Sequence, residues 1–146
     1  MSGDSDALAI GEHVAAIGNP HGRANTVTFG VVSAKDQSIR VKGRFEKLGP
    51  LVETDAAING GNSGGPLVTE GGQVIGVVNA KLAGHAISNV GFAVPVDYAK
   101  AILVQRKVQF SAAKGRERLE GPALVKKVDP SLALVTVTLA SEPGKD

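Results

Sequence analysis

Thr54-Asp55-Ala56-Ala57-Ile58-Asn59-Gly60-Gly61-Asn62-Ser63-Gly64-Gly65-Pro66-Leu67 places a single serine inside a run of glycines. Glycines beside a serine let the backbone take sharp or left-handed conformations. They also clear side chains from around the hydroxyl, so that a carbonyl carbon can approach Oγ. In such a loop the amide N–H groups of Gly61 and Ser63 can converge. Two converging donors are what an oxyanion hole requires, and losing one costs roughly 3–4 kcal/mol of transition-state stabilisation. The same letters also describe a glycine-rich hairpin loop with an incidental serine, and the loop alone does not separate the two readings.

Outward from the loop, short apolar runs alternate with turn residues. Pro50 to Thr54 leads in and Pro66 to Val68 leads out. His13 to Ile17 is an apolar run that stops at Gly18-Asn19-Pro20, a strong punctuation. Thr26 to Ala34 is rich in Val and Thr, which suit a pleated surface, and Ser38 to Lys42 alternates around Ile39 and Val41. Val74 to Ala80 follows Gly71-Gly72, a hairpin turn, and Val90 to Pro95 closes the series. Strands at this spacing predict an all-β chain, a small barrel or sandwich. Val96 to Val104 differs. Val96, Ala99, Ile102 and Leu103 recur at helical spacing and Asp97 sits in the first turn, which predicts one helix. Beyond Gln105 the chain is richer in charge, with strand-like stretches at Lys107 to Phe110, Ala123 to Val128 and Leu132 to Leu139. Ser141 to Asp146 reads as a disordered tail.

Composition agrees with this pattern. Hydrophobic residues make up 42% of the 146 residues, enough for a core, and aromatics only 3%, so that core is aliphatic. The 19 glycines favour a turn-rich β protein over a helical bundle. A net charge of +2 is too small to argue for nucleic acid, and the basic residues from Arg106 to Lys127 read as a solvated face. No stretch is apolar enough to span a membrane as a helix, and the polar, acidic start Met1 to Asp6 does not read as a secretion signal. Without cysteine there are no disulfides and no thiolate metal sites.

Glu12 to Pro20 resembles the start of the second barrel of HtrA-type serine proteases, a branch of the trypsin-like (chymotrypsin) fold. Thr26 to Ala34 is similar to the next element of that barrel, and Thr54 to Leu67 to its nucleophile loop. Gln73 to Val77 and Gly91 to Pro95 resemble the last strands before a closing helix. Order and spacing agree from Gly3 to Leu103. The resemblance implies a single six-stranded antiparallel β-barrel over residues 3–105, with a C-terminal helix. Extra C-terminal strands would lie in an extension over 106–140, followed by the tail 141–146. It implies that Ser63 is the nucleophile and that the N–H groups of Gly61 and Ser63 form the oxyanion hole. Asn79, Ala80 and Lys81 would then pair with an extended polypeptide by strand addition. Ile58 and Leu82 would line the pocket for the substrate residue before the cleaved bond. With no acidic residue at the pocket base, the implied preference is small and aliphatic. This chemistry uses an acyl-enzyme and needs no cofactor or metal.

A serine hydroxyl also needs a base, and in this family a histidine takes its proton while an aspartate orients that histidine. The family supplies both from a first barrel, upstream of the region matched here. His13 reads as a packing or surface residue of the first strand, His21 and His85 as loop residues, and Asp55 as a structural hydrogen-bonding group. The chain is therefore expected to be the C-terminal half of a serine endopeptidase, inactive without the missing N-terminal barrel. The alternatives are a pseudo-protease that binds extended peptides without cutting them and a purely structural interaction domain. An HtrA-type parent implies the periplasm or cell envelope. No PDZ pattern follows Gln105. Instead, Pro122 to Val135 resembles a strand pair of the first barrel, in which the orienting aspartate precedes a Leu-Ala-Leu run. Here Ser131 holds that place and Asp129 lies two residues earlier. The segment reads either as the start of a second, degenerate unit or as an unrelated extension. A lone second barrel exposes an apolar patch near Ser63, which predicts self-association. The C-terminal strands are expected to cover part of it, so that deleting residues 106–146 lowers solubility.

Overall fold

The computed structural model describes residues 2–19, 26–40, 47–79, 90–112 and 118–133. Six strands form the body: β1 (His13–Gly18), β2 (Thr26–Arg40), β3 (Lys47–Thr54), β4 (Pro66–Thr69), β5 (Val74–Val78) and β6 (Gly91–Pro95). They close into a barrel in the order β1-β2-β3-β6-β5-β4, with every neighbouring pair antiparallel. Closure removes the sheet edges that would otherwise invite pairing with other chains.

Val14 and Ala16 of β1 point inward, where they meet Val32, Val52, Leu67, Ile75, Val78 and Ala93. Leu8, from the segment before β1, plugs the same interior. Ala15 and Ile17 point outward and are nevertheless buried, because a C-terminal segment lies over them. Burial on both faces is why β1 reads as an unbroken apolar run instead of an alternating one.

β2 is one strand where the sequence suggested two. It bends through register shifts between Val32 and Ala34, Ala34 and Gln37, and Gln37 and Ile39, with Asp36 at φ 55°. Each irregularity breaks the period-two pattern, and the break reads in sequence as a boundary. The Gly71-Gly72 turn is present: Gly72 takes φ 74° and its amide donates to the Thr69 carbonyl at 2.9 Å.

Helix α1 (Val96–Gln105) follows β6 directly. Its buried residue is Val96, whereas Ile102, expected on the packed side, is 59% exposed. The extra C-terminal strands are not found among the described residues. Lys107 to Phe110 is irregular, and Ala123 to Val128 belongs to a second helix, α2 (Gly121–Val128), followed by a 3₁₀ turn at Asp129–Ser131. Pro122 lies in the first turn of α2, where its missing N–H costs nothing, and Lys126 and Lys127 lie in the last turn, where they complement the helix dipole. Leu124 and Val128, four apart, share one buried face. The expected resemblance of Pro122 to Val135 to a strand pair fails over this helix, because a short run rich in Leu and Val does not by itself declare its period. Most of Leu132 to Leu139, and the whole tail 141–146, lie outside the described residues.

Candidate active site

The loop between β3 and β4 is held from both ends. Thr54, the last residue of β3, donates its hydroxyl to the Val31 carbonyl at 2.7 Å and accepts the Ala56 amide at 3.1 Å. Asp55 accepts the Val31 amide through Oδ1 at 2.6 Å, the structural hydrogen bond expected of it. Gly30 lets β2 come this close, since a Cβ there would collide with Asp55 and Ala56.

Past this anchor the chain turns around Asn62. Its side chain is buried, and Nδ2 donates to the Ala57 carbonyl at 3.2 Å. The Asn62 amide donates to the Asn59 carbonyl (3.1 Å), and the Gly65 amide to the Asn62 carbonyl (2.9 Å). Two further bonds tie the loop to β5: Gly64 N–H to the Val78 carbonyl (2.8 Å) and Val78 N–H to the Gly65 carbonyl (2.9 Å). Gly61 takes φ 108° and Gly64 φ 84°, on either side of Ser63, a region that glycine alone enters without strain. Gly65 answers a different need: a Cβ there would collide with the Ile17 carbonyl oxygen. Gly18 packs equally close against Gly61 and Asn62, and the Asn19 amide donates to the Gly61 carbonyl at 3.2 Å. The end of β1 therefore braces the glycine loop, and Ser63 is left exposed at its tip.

A cavity of about 500 Å³ opens beside Ser63. Ile17, Gly18, Asn19, Gly64 and Pro66 line it from the barrel, and Leu132 and Ala133 from the C-terminal segment. None of its described lining residues carries a titratable side chain. The Oδ1 of Asn19 is buried with no hydrogen-bond partner among the described residues. Sequence reasoning singled out neither Asn19 nor Asn62, although Asn62 lies within the quoted motif.

The other predicted residues divide. Ile58 is half-buried, packed against the barrel interior and against Gly91 at the start of β6. Asn79 directly follows β5, and its amide donates to the Phe92 carbonyl at 2.9 Å. Ala80, Lys81 and Leu82 lie outside the described residues, as do His21 and His85. His13 stands exposed at the other end of β1, with Nδ1 2.9 Å from Oε1 of Glu70, the surface position expected.

A family model for the trypsin-like peptidase domain matches residues 2–77. The serine protease Do-like HtrB of Bacillus subtilis is 44% identical over 108 residues, spanning 70% of this chain and 23% of that protein. Among solved structures, the HtrA-type protease AlgW with a decapeptide superposes with a TM-score of 0.59 at 38% identity, covering 72% of this chain and 32% of that one. Deg5 superposes with a TM-score of 0.55, also at 38% identity, covering 69% of this chain and 44% of that one. The chain spans between 13% and 25% of the length of the curated relatives it most resembles.

Proposed function

Because this chain belongs to the trypsin-like peptidase family, in its HtrA branch, we propose that it is the nucleophile-bearing barrel of a serine endopeptidase. Residues 3–105 are the barrel unit and 106–140 an extension to it. Ser63 attacks the scissile carbonyl and forms the acyl-enzyme. The backbone N–H groups of Gly61 and Ser63 stabilise the oxyanion. The carrying observation is the loop itself: left-handed glycines on either side of an exposed serine, locked by the buried Asn62 and by the end of β1.

Extended polypeptide is the substrate class. It pairs along Asn79, Ala80 and Lys81, with Ile58 and Leu82 bounding the pocket for the residue before the cleaved bond. The AlgW structure that this chain resembles is described with a decapeptide, which supports a peptide ligand. The 146-residue chain alone lacks a working base, and this reading is supported by a Ser63 cavity whose described lining holds no titratable side chain. A complementary barrel supplies the histidine and the aspartate.

A fluorophosphonate probe tests the assignment. The isolated chain is expected to label slowly, added imidazole to raise the rate at Ser63, and Ser63→Ala to abolish labelling. Stoichiometric labelling without imidazole overturns the missing base. Labelling that imidazole does not raise favours the alternative, a peptide-binding module without catalysis.

A further inference from the structure

The segment after residue 117 runs along the outside of the barrel. Arg118 reaches Glu70 with Nε at 3.3 Å from Oε2, and the Leu119 amide donates to the Glu70 carbonyl at 3.2 Å. Helix α2 then passes over the β4–β5 turn so closely that a Cβ on Gly72 would lie 3.3–3.6 Å from the side chains of Val128, Lys127 and Leu124. Leu124 and Val128 bury themselves on Ala15, Ile17 and Val68. The 3₁₀ turn delivers Leu132, with extended backbone, and Ala133 to the wall of the Ser63 cavity. One continuous segment thus covers a barrel face and borders the space beside the nucleophile loop.

We propose that residues 119–133 form a detachable intramolecular plug. It occupies the outer face of β1 and β4 and narrows the Ser63 cavity, so that a second polypeptide reaches that face only after the plug lifts. Two observations carry this. First, α2 pairs with no strand, so lifting it breaks no β-ladder, and its eight residues are too few for a helix to persist by itself. Second, its apolar contacts form a cluster separate from the barrel interior, so it can leave without opening the main core. The proposal does not depend on Ser63 being reactive.

Native-state hydrogen exchange on the 146-residue chain tests it. The α2 amides, among them Leu124, which donates to the Glu120 carbonyl, should exchange through an opening at least ~100-fold more populated than that of the β1 and β4 amides. Equal protection of α2 and β1 overturns the proposal, and that comparison needs no variant. In Leu124→Asp, α2 protection should vanish and the amide signals of Gly18, Gly64 and Gly65 should shift while β1 stays protected. Loss of β1 protection in this variant, or unmoved cavity signals, equally overturns it.

Discussion

Asp97 joins the two ends of the barrel unit through one carboxylate. It accepts the Ser5 hydroxyl and the Ser5 amide, the latter at 3.1 Å, and pairs with Lys100 at 2.7 Å. The hydrogen bond from Lys100, then that from the Ser5 hydroxyl, hold its carboxyl below the usual aspartate value of 3.8, against the opposing effect of burial. A folded-state value below the unfolded one means that the stabilisation is complete above the ordinary aspartate range and is lost as pH falls through the depressed value. Because the carboxylate is 40% exposed and Asp4 and Asp6 stand close enough to repel it, the worth is about 1 kcal/mol or less. Asp97→Asn should therefore lower the urea midpoint at neutral pH, and the gap from wild type should shrink as pH drops below about 4. A gap unchanged in acid would assign the effect to packing instead. At this scale the sequence was legible only in part. Its letters marked Ser63 and a glycine-rich loop, but they could not tell Gly64, which serves a left-handed dihedral, from Gly65, which makes room for the Ile17 carbonyl. Nor could they show that Asn62 is the buried lock or that the Asn19 Oδ1 is buried with no partner among the described residues. The Gly65 constraint follows from the approach of β1 to the loop, which brings together residues some forty apart in the chain (Gly18 and Asn62).

Helix α1 ends in a way that sequence rules discourage. The Lys107 amide donates to the Val104 carbonyl at 3.0 Å and the Val108 amide to the Leu103 carbonyl at 2.9 Å, the paired bonds of a Schellman motif. Lys107 holds the left-handed position at φ 56°, which costs a non-glycine residue roughly 1–2 kcal/mol. Lys107→Gly should stabilise the chain by about 0.5–1 kcal/mol, since glycine also gains unfolded-state freedom that offsets part of the relief. Thermal unfolding of the two chains measures this, and a lower midpoint for the glycine variant would refute it. The turn also explains why Lys107 to Phe110 was misread as a strand: Val108 and Phe110 look like alternation, but the chain there is closing a helix. The barrel strands were legible because most carry β-branched residues between glycine or proline stops, and a closed barrel keeps that signal. Helix α2 was not legible. Its Leu124 and Val128 answer to a barrel face whose own outward residues, Ala15 and Ile17, look in sequence like any other core positions.

For the molecule as a whole, that outer face decides how the barrel behaves in solution. Ala15, Ile17 and Val68 are at most 2% exposed, and their cover is a helix, not the strands expected there. Ending the chain after Ala112 keeps the bridge between Ser2 and Ala112, and with it the seat of the N-terminal segment, while removing α2. The buried Leu124 and Val128 are each worth about 1.5–3 kcal/mol of apolar burial, less the cost of ordering the helix. The interior cluster around Val14, Leu67 and Ile75 does not include α2, so the shortened barrel should still fold. It would then present a bare aliphatic face beside the Ser63 loop, the kind of patch that drives association. Size-exclusion chromatography with light scattering should show residues 1–112 associating at concentrations where the full chain does so less. Tyr98 and Ile102 are exposed on both chains and cancel, whereas Phe29, which lies against Gly121 at the start of α2, belongs to the face that the truncation uncovers. Identical elution of the two chains would mean that α2 shields nothing that associates, and the face under it would lose its standing as a docking surface.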